Sequence, residues 1–215
     1  MKLSASREAF LAPLQAVIGV VERRQTMPIL ANVLIVARGN QVSVTATDLE
    51  VEMVASADLT VDTDGEVTLP GRKLLDICKA LADGATVTLE VSGDKATLRS
   101  SRSRFTLATL PAADFPTVDA LAAEQSIELE QVAMKRLLDK SHFSMAHQDV
   151  RYYLNGLLFE LGGSHLRAVA TDGHRLATGR VSAAREGAGV HRVIVPRRGG
   201  LGLQRLLGED GTVTL

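Results

Sequence analysis

The chain repeats itself. Residues 29–50 (ILANVLIVARGNQVSVTATDLE) lie without a gap over residues 153–174 (YLNGLLFELGGSHLRAVATDGH), 124 positions further on. Leu30/Leu154, Leu34/Leu158, Gly39/Gly163, Ala46/Ala170, Thr47/Thr171 and Asp48/Asp172 are identical, and Val33/Leu157, Ile35/Phe159 and Val42/Leu166 stay apolar. Upstream the same offset pairs Leu3 with Ile127, Phe10 with Met134 and Leu14 with Leu138. Downstream it grows by two residues, as a loop insertion would make it: Leu69 and Pro70 meet Val195 and Pro196, and TVTL at 86–89 meets TVTL at 212–215. A unit of this length is domain-sized rather than a solenoid repeat, so two homologous domains are expected. The second copy reaches Leu215 at a point matching Leu89, inside a predicted strand, which suggests a longer parent protein.

The first copy reads as one pattern used twice. A strand at 2–5, a helix at 6–20 with Phe10, Leu11, Leu14, Val17 and Ile18 on one face, and strands at 29–37, 41–47 and 50–59 are followed by a second round. That round has a strand at 66–69, a helix at 72–81 and strands at 86–91, 95–100 and 104–110. Pro13 removes a hydrogen bond inside the first helix and predicts a kink or a delayed start. Pro70 stands where a helix begins, which proline tolerates. The run 111–116 (PAADFP) reads as a linker, and the second copy opens at Ser126. Helices at 131–142 and 196–207 then correspond to the first two, the last weakened by Gly199, Gly200 and Gly202, with a loop at 183–189. The fold class is α+β, each domain two β-α-β-β-β units.

Composition sets outer bounds. With 46% hydrophobic and 23% charged residues the chain can bury a core. No apolar run approaches a membrane span and no secretory signal opens the chain, so a cytoplasmic protein without membrane contact is expected. The single cysteine, Cys78, falls at helical spacing with Leu74, Leu75 and Leu81 and reads as a small core residue. Scarce aromatics, 3% with no tryptophan, argue against stacking platforms for single strands. Net charge is −1, yet the four helical segments together carry +8 and the remainder −9. Helices on one face and sheets on the other would make one face attractive to phosphate. Lys and Arg are also good helix formers and would populate solvated helices in any case.

At five places the residues match something known. TDLEVEMVA, GRKLLDICKAL, SRSRFTLATLPAADFP, KSHFSMAHQDVRYYLNGLLFE and VATDGHRLA, in this order and spacing, resemble the bacterial DNA polymerase III beta subunit family, the replicative sliding clamps. The resemblance implies a DNA clamp fold of three repeated domains, helices lining the inner face of a ring and antiparallel sheets outside. This chain would supply domain 1 (1–124) and most of domain 2 (125–215), with domain 3 absent. Implied partners are double-stranded DNA read without sequence preference, the polymerase III alpha subunit and other polymerases, and the clamp-loader delta subunit. The full-length protein would be a homodimeric ring, and this length alone would not close one. No cofactor and no metal are implied.

Residue by residue, the resemblance assigns DNA contact to Arg24, Gln148, Tyr152 and Tyr153. Under the offset Arg24 falls on Gln148. Neighbouring positions of a strand project to opposite faces, which leaves open which of Tyr152 and Tyr153 faces the duplex. Leu154, Thr171, Gly173, His174, Arg175 and Leu176 match the second-domain wall of an apolar cleft that holds short linear peptides. Lys73, Arg102, Arg104, Phe105 and Leu107 match the surface that meets the partner subunit, and Phe105 with Leu107 is expected as an exposed apolar strip.

Two other classes compete. A small hydrolase would use Asp172 with His174, although a repeated Thr-Asp at a strand end also fits a turn in which Asp bonds nearby backbone. His142 and His147 do not share a helical face and give no convincing metal spacing. A two-repeat saddle that kinks DNA would need basic, apolar sheet residues, whereas 50–66 is acidic.

Overall fold

The computed structural model describes residues 1–21, 27–118, 126–183 and 189–215. The chain separates into two compact units, Met1–Asp119 and Ala120–Leu215. Unit 1 runs β1 (Lys2–Ser6), α1 (Arg7–Val17), a 3-10 turn (Pro28–Ala31), β2 (Asn32–Arg38), β3 (Gln41–Thr47) and β4 (Glu52–Asp58). It continues with β5 (Thr60–Thr63), β6 (Gly65–Pro70), α2 (Gly71–Ala80), β7 (Thr86–Ser92), β8 (Lys95–Ser100) and β9 (Ser103–Ala108). Two antiparallel sheets result, in the orders β4-β3-β2-β6 and β5-β1-β7-β8-β9. Unit 2 contains β10 (Glu128–Glu130), α3 (Gln131–Asp139), β11 (Gly156–Gly162), β12 (His165–Thr171) and β13 (Leu176–Ser182). After these come β14 (Val190–Pro196), α4 (Arg197–Leu206) and β15 (Thr212–Thr214), in sheets β13-β12-β11-β14 and β10-β15.

The repeat is reproduced down to pairing register. Strands β2, β3 and β4 reappear 124 residues later as β11, β12 and β13, and α2 reappears 126 residues later as α4. Asn32 opposes Pro70 and Val33 opposes Leu69; Gly156 opposes Pro196 and Leu157 opposes Val195. Each proline ends a strand and precedes a helix. It withholds an N–H from the ladder and brings a fixed φ to the helix start. The helix starts correspond as well: the N–H groups of Arg7 and Gln131 donate to the carbonyls of Ala85 and Gly211, at 2.7 and 2.9 Å.

Each unit has its own core. Leu3, Phe10, Leu14, Ile35, Leu69, Leu74 and Leu89 are buried in the first, and Ile127, Met134, Leu138, Leu157 and Phe159 in the second, so the pairs Leu3/Ile127, Phe10/Met134, Leu14/Leu138, Val33/Leu157 and Ile35/Phe159 lie inside in both copies. Cys78 is buried with the first group, and that burial pushes its thiol up to about 11.

Several expectations need correction. Helix α1 begins at Arg7, capped by the Ser6 hydroxyl, and continues through Pro13 without the expected delay; burial of Phe10, Leu11, Pro13, Leu14 and Val17 offsets the lost bond. It stops at Val17 rather than 20. Residues 29–31 are not strand, because Pro28 opens a 3-10 turn that delays β2 to Asn32. Strand β5 was not anticipated, since TVDT has no apolar alternation. Helix α3 ends at Asp139 instead of 142, where the Ser141 hydroxyl donates to the Leu137 carbonyl at 2.7 Å and competes with further helical bonding.

The segment 111–116 is not a free linker. Ala112–Asp114 forms a 3-10 turn, and Phe115 packs with Ile29, Leu30 and Leu34 on the side of β2 away from the main core. The Thr68 hydroxyl fastens this segment, donating to the Leu110 carbonyl at 2.8 Å and accepting from the Leu110 N–H at 3.1 Å. The position in β11 that corresponds to Val36 is Glu160, a nearly buried carboxylate that accepts from Arg167 and from Arg192. Their hydrogen bonds, Arg192 foremost, hold it below the usual carboxylate range.

Truncating Phe10 to alanine opens a cavity in the core of unit 1. A loss of about 3–5 kcal/mol is expected, measurable as a shifted urea midpoint at constant slope; a loss below about 1 kcal/mol would contradict the packing.

Candidate nucleic-acid and peptide-binding surface

The repeated Thr-Asp pair builds the same turn twice. Oδ1 of Asp48 accepts the N–H groups of Glu50 and Val51 at 3.0 and 2.8 Å, and Oδ1 of Asp172 accepts those of His174 and Arg175, both at 3.0 Å. The Thr47 and Thr171 hydroxyls accept the N–H groups of Leu49 and Gly173, each at 3.1 Å. Asp172 also takes Nε of Arg175 on Oδ2 at 2.9 Å. The backbone N–H groups of Arg175 and His174, together with the Arg175 side chain, hold this carboxyl below its ordinary range. Its hydrogen bond to His174 is made to the backbone N–H, not the ring. A hydrolytic Asp172–His174 pair is therefore not what the fold builds.

The turn carries the residues assigned to the peptide cleft. Thr171 and Leu154 are half-buried, Gly173, His174 and Arg175 are exposed, and Leu176 is 64% exposed. Beside them sits Phe143, half-exposed on the 3-10 turn His142–Ser144, with the Arg175 guanidinium 5.9 Å from its ring centre. Sequence reasoning passed over Phe143. Its signal is its rarity: it is one of only five phenylalanines and lies outside any apolar periodicity.

Next to this turn lies the loop 148–155. Gln148 adopts a left-handed backbone at φ 59° and is exposed. Tyr152 and Tyr153 stand on a 3-10 turn (Tyr152–Leu154), not on a strand, and both face solvent, 82% and 50% exposed. Strand alternation does not apply to them, and their rings meet edge to face at 5.8 Å. Asn155 closes the loop, accepting the Asp149 N–H at 2.9 Å and donating to the Asp149 carbonyl at 2.8 Å. Arg151 forks onto Asp149, Nε to Oδ1 at 3.0 Å and Nη2 to Oδ2 at 2.9 Å. Arg24 lies outside the described residues.

The residues assigned to the partner interface divide. Lys73 on α2 and Arg102 and Arg104 near β9 are exposed. Leu107 is only 2% exposed and Phe105 packs against the core. Residues 105 and 107 share a strand face, and that face is the inward one. The expected exposed apolar strip is thus absent; the basic side chains are what this edge presents. The helical cations divide too. Arg7 donates to the carbonyls of Cys78 and Lys79 at the end of α2, and Arg72 and Arg197 donate to the carbonyls of Val21 and Met145. Lys73, Lys79, Arg136, Lys140, Arg198 and Arg205 remain exposed.

Two units whose four-stranded sheets share one strand order, with the same helix starts and the same Thr-Asp turn, define a duplicated α+β domain of the DNA-clamp type. Residues 1–119 match the N-terminal domain of the DNA polymerase III beta subunit, and residues 128–215 match its central domain. The chain belongs to the DNA polymerase III beta subunit family. It is 52% identical over 217 residues to the beta sliding clamp of Pseudomonas putida, covering all of this chain and 59% of that protein. To the beta sliding clamp of Escherichia coli K12 it is 49% identical, covering 96% of this chain and 57% of the relative. The crystal structure of the DNA polymerase III subunit beta from Pseudomonas aeruginosa superposes with a TM-score of 0.94 at 50% identity, over all of this chain and 59% of that one. Pol III beta from Caulobacter crescentus gives 0.92 at 40% identity, over all of this chain and 61% of that one. The chain thus spans about three-fifths of the length of the curated relatives it matches.

The Arg151 side chain, followed by its backbone N–H, depresses the Asp149 carboxyl to about 2. A folded-state value lowered in this way means that the interaction is present above the ordinary value of 3.8 and disappears as pH falls through about 2. In an NMR titration Asp149 should respond near pH 2, and in R151A it should return toward the ordinary range. An ordinary value in the wild type would remove the ion pair from the account.

Proposed function

We propose that this chain is part of a sliding clamp, a non-catalytic processivity element that encircles duplex DNA and tethers the replicative DNA polymerase III. The observation that carries the reading is the placement, in one unit of a beta-subunit family member, of the 148–155 loop beside the 171–176 turn. Gln148, Tyr152 and Tyr153 offer hydrogen-bonding and aromatic groups to the backbone of a duplex, as Arg24 does in the first unit, and contacts of this type read no sequence. Leu154, Thr171, Gly173, His174, Arg175 and Leu176 form one wall for an extended peptide from the polymerase III alpha subunit, other polymerases or the clamp-loader delta subunit. Lys73, Arg102 and Arg104 are the polar part of the surface that meets a partner subunit. Exposed lysines and arginines on and beside α2, α3 and α4 supply the inner, phosphate-facing lining.

Function in this reading is topological. Tethering raises the effective concentration of the polymerase at the primer end, with no chemical step. The intact protein works as a homodimeric ring of three-domain subunits in the cytoplasm; the 215 residues alone do not close one. Among the described residues no helix is long and apolar enough to cross a membrane.

The decisive experiment loads the intact protein onto nicked circular DNA and then linearises it. Retention on the circle and release from the line is the expected result; equal retention on both would refute encirclement. In the same assay the 215-residue chain should be retained on neither. For direct duplex contact, Y152A/Y153A should weaken binding with little sequence dependence, read as a titration at several salt concentrations.

A further inference from the structure

The duplicated turn supplies its own control for Gly173. The equivalent position in unit 1 is Leu49, at φ 76° where Gly173 has 90°, and the Thr and Asp side chains hold both turns with matching bonds. A left-handed backbone favours glycine, yet here it accepts leucine, so conformation alone does not account for Gly173. The neighbour differs. A β-carbon on Gly173 would lie 3.3 and 3.5 Å from Nη2 and Nη1 of Arg151 and 3.8 Å from its Cζ, so the guanidinium stands against the glycine. In unit 1 the position equivalent to Arg151 is Met27.

Arg151 therefore touches two surfaces. Its backbone belongs to the 148–155 loop, and its side chain covers the 171–176 turn while forked onto Asp149. The fork is not sealed, since the Arg151 side chain is 49% exposed. Ion pairs this open to water are weakly held. A backbone phosphodiester presents the guanidinium with the same paired acceptors and the same single charge as a carboxylate, and it stands in a row of like charges along the duplex that adds to its attraction.

We propose that Arg151 is a positioning residue that connects the DNA-facing loop to the peptide-binding turn. When the loop meets a duplex, Arg151 exchanges Asp149 for a phosphate, leaves Gly173 and uncovers the backbone of the turn for a peptide. This rests on the assignment of the loop to DNA and the turn to peptide. Linkage makes the effect reciprocal: a peptide seated on the uncovered turn strengthens duplex contact by the factor with which duplex strengthens peptide.

The test follows the backbone amides of Gln148 and Gly173 by 15N NMR in the full 215-residue chain as a short duplex of arbitrary sequence is added at low salt. In the wild type both amides should shift with the same half-saturating duplex concentration. In R151Q the Gln148 shift should persist and the Gly173 shift should be lost. In D149N, where no carboxylate competes for Arg151, the Gly173 shift should appear at lower duplex concentration. A Gly173 amide that stays still while Gln148 moves overturns the proposal and leaves the DNA assignment intact, as does a wild-type Gly173 response in R151Q. A duplex that moves neither amide overturns both. An unchanged D149N profile rules out the exchange of partners even if R151Q fails to fold.

Discussion

Everything in each unit is placed by one central strand that must bury both faces. In β2, Val33 and Ile35 point into the main core while Leu34 and Val36 point the other way. A strand of this kind cannot leave either side to water without exposing several apolar side chains, so it demands a cover on each. On the inner side α1, α2 and the second sheet supply it. On the outer side of unit 1 the cover is Phe115, brought back by a short turn and fastened through Thr68.

Unit 2 answers the same demand differently. Where Val36 met Phe115, β11 places Glu160, whose two oxygens are occupied by Arg167 and Arg192 from the flanking strands β12 and β14. A carboxylate in so dry a position is tolerable only when paired and hydrogen-bonded. One copy closes its outer sheet face with an aromatic segment, the other with a charge cluster, and the backbone register beneath is unchanged.

This division explains what was legible. The paired strands, both helices of each unit and the Thr-Asp turn were readable because local propensity and the duplicated apolar positions agree. Phe115 was misread because prolines at both ends of PAADFP signal a linker, whereas its packing partners are about 80 residues away. Leu107 was misread because the side of an edge strand that faces the core depends on its neighbour's register, which no short motif encodes. Of the candidate site, the residues of the turn were readable through family resemblance. The Arg151 contact with Gly173 was not, since it joins two segments that sequence alone leaves apart.

The prolines at the ends of β6 and β14 bind two lengths together. Each sits opposite a fixed residue of the central strand and is followed at once by a helix carrying arginines. A slip of one residue in the sheet would displace the start of that helix by about 3.3 Å. Moving the start by one residue would turn its side chains by about 100°. Sheet register is thus also a gauge for the angular position of charge: Lys73 and Arg198 point where they do because Asn32 and Gly156 fix where their strands must stop.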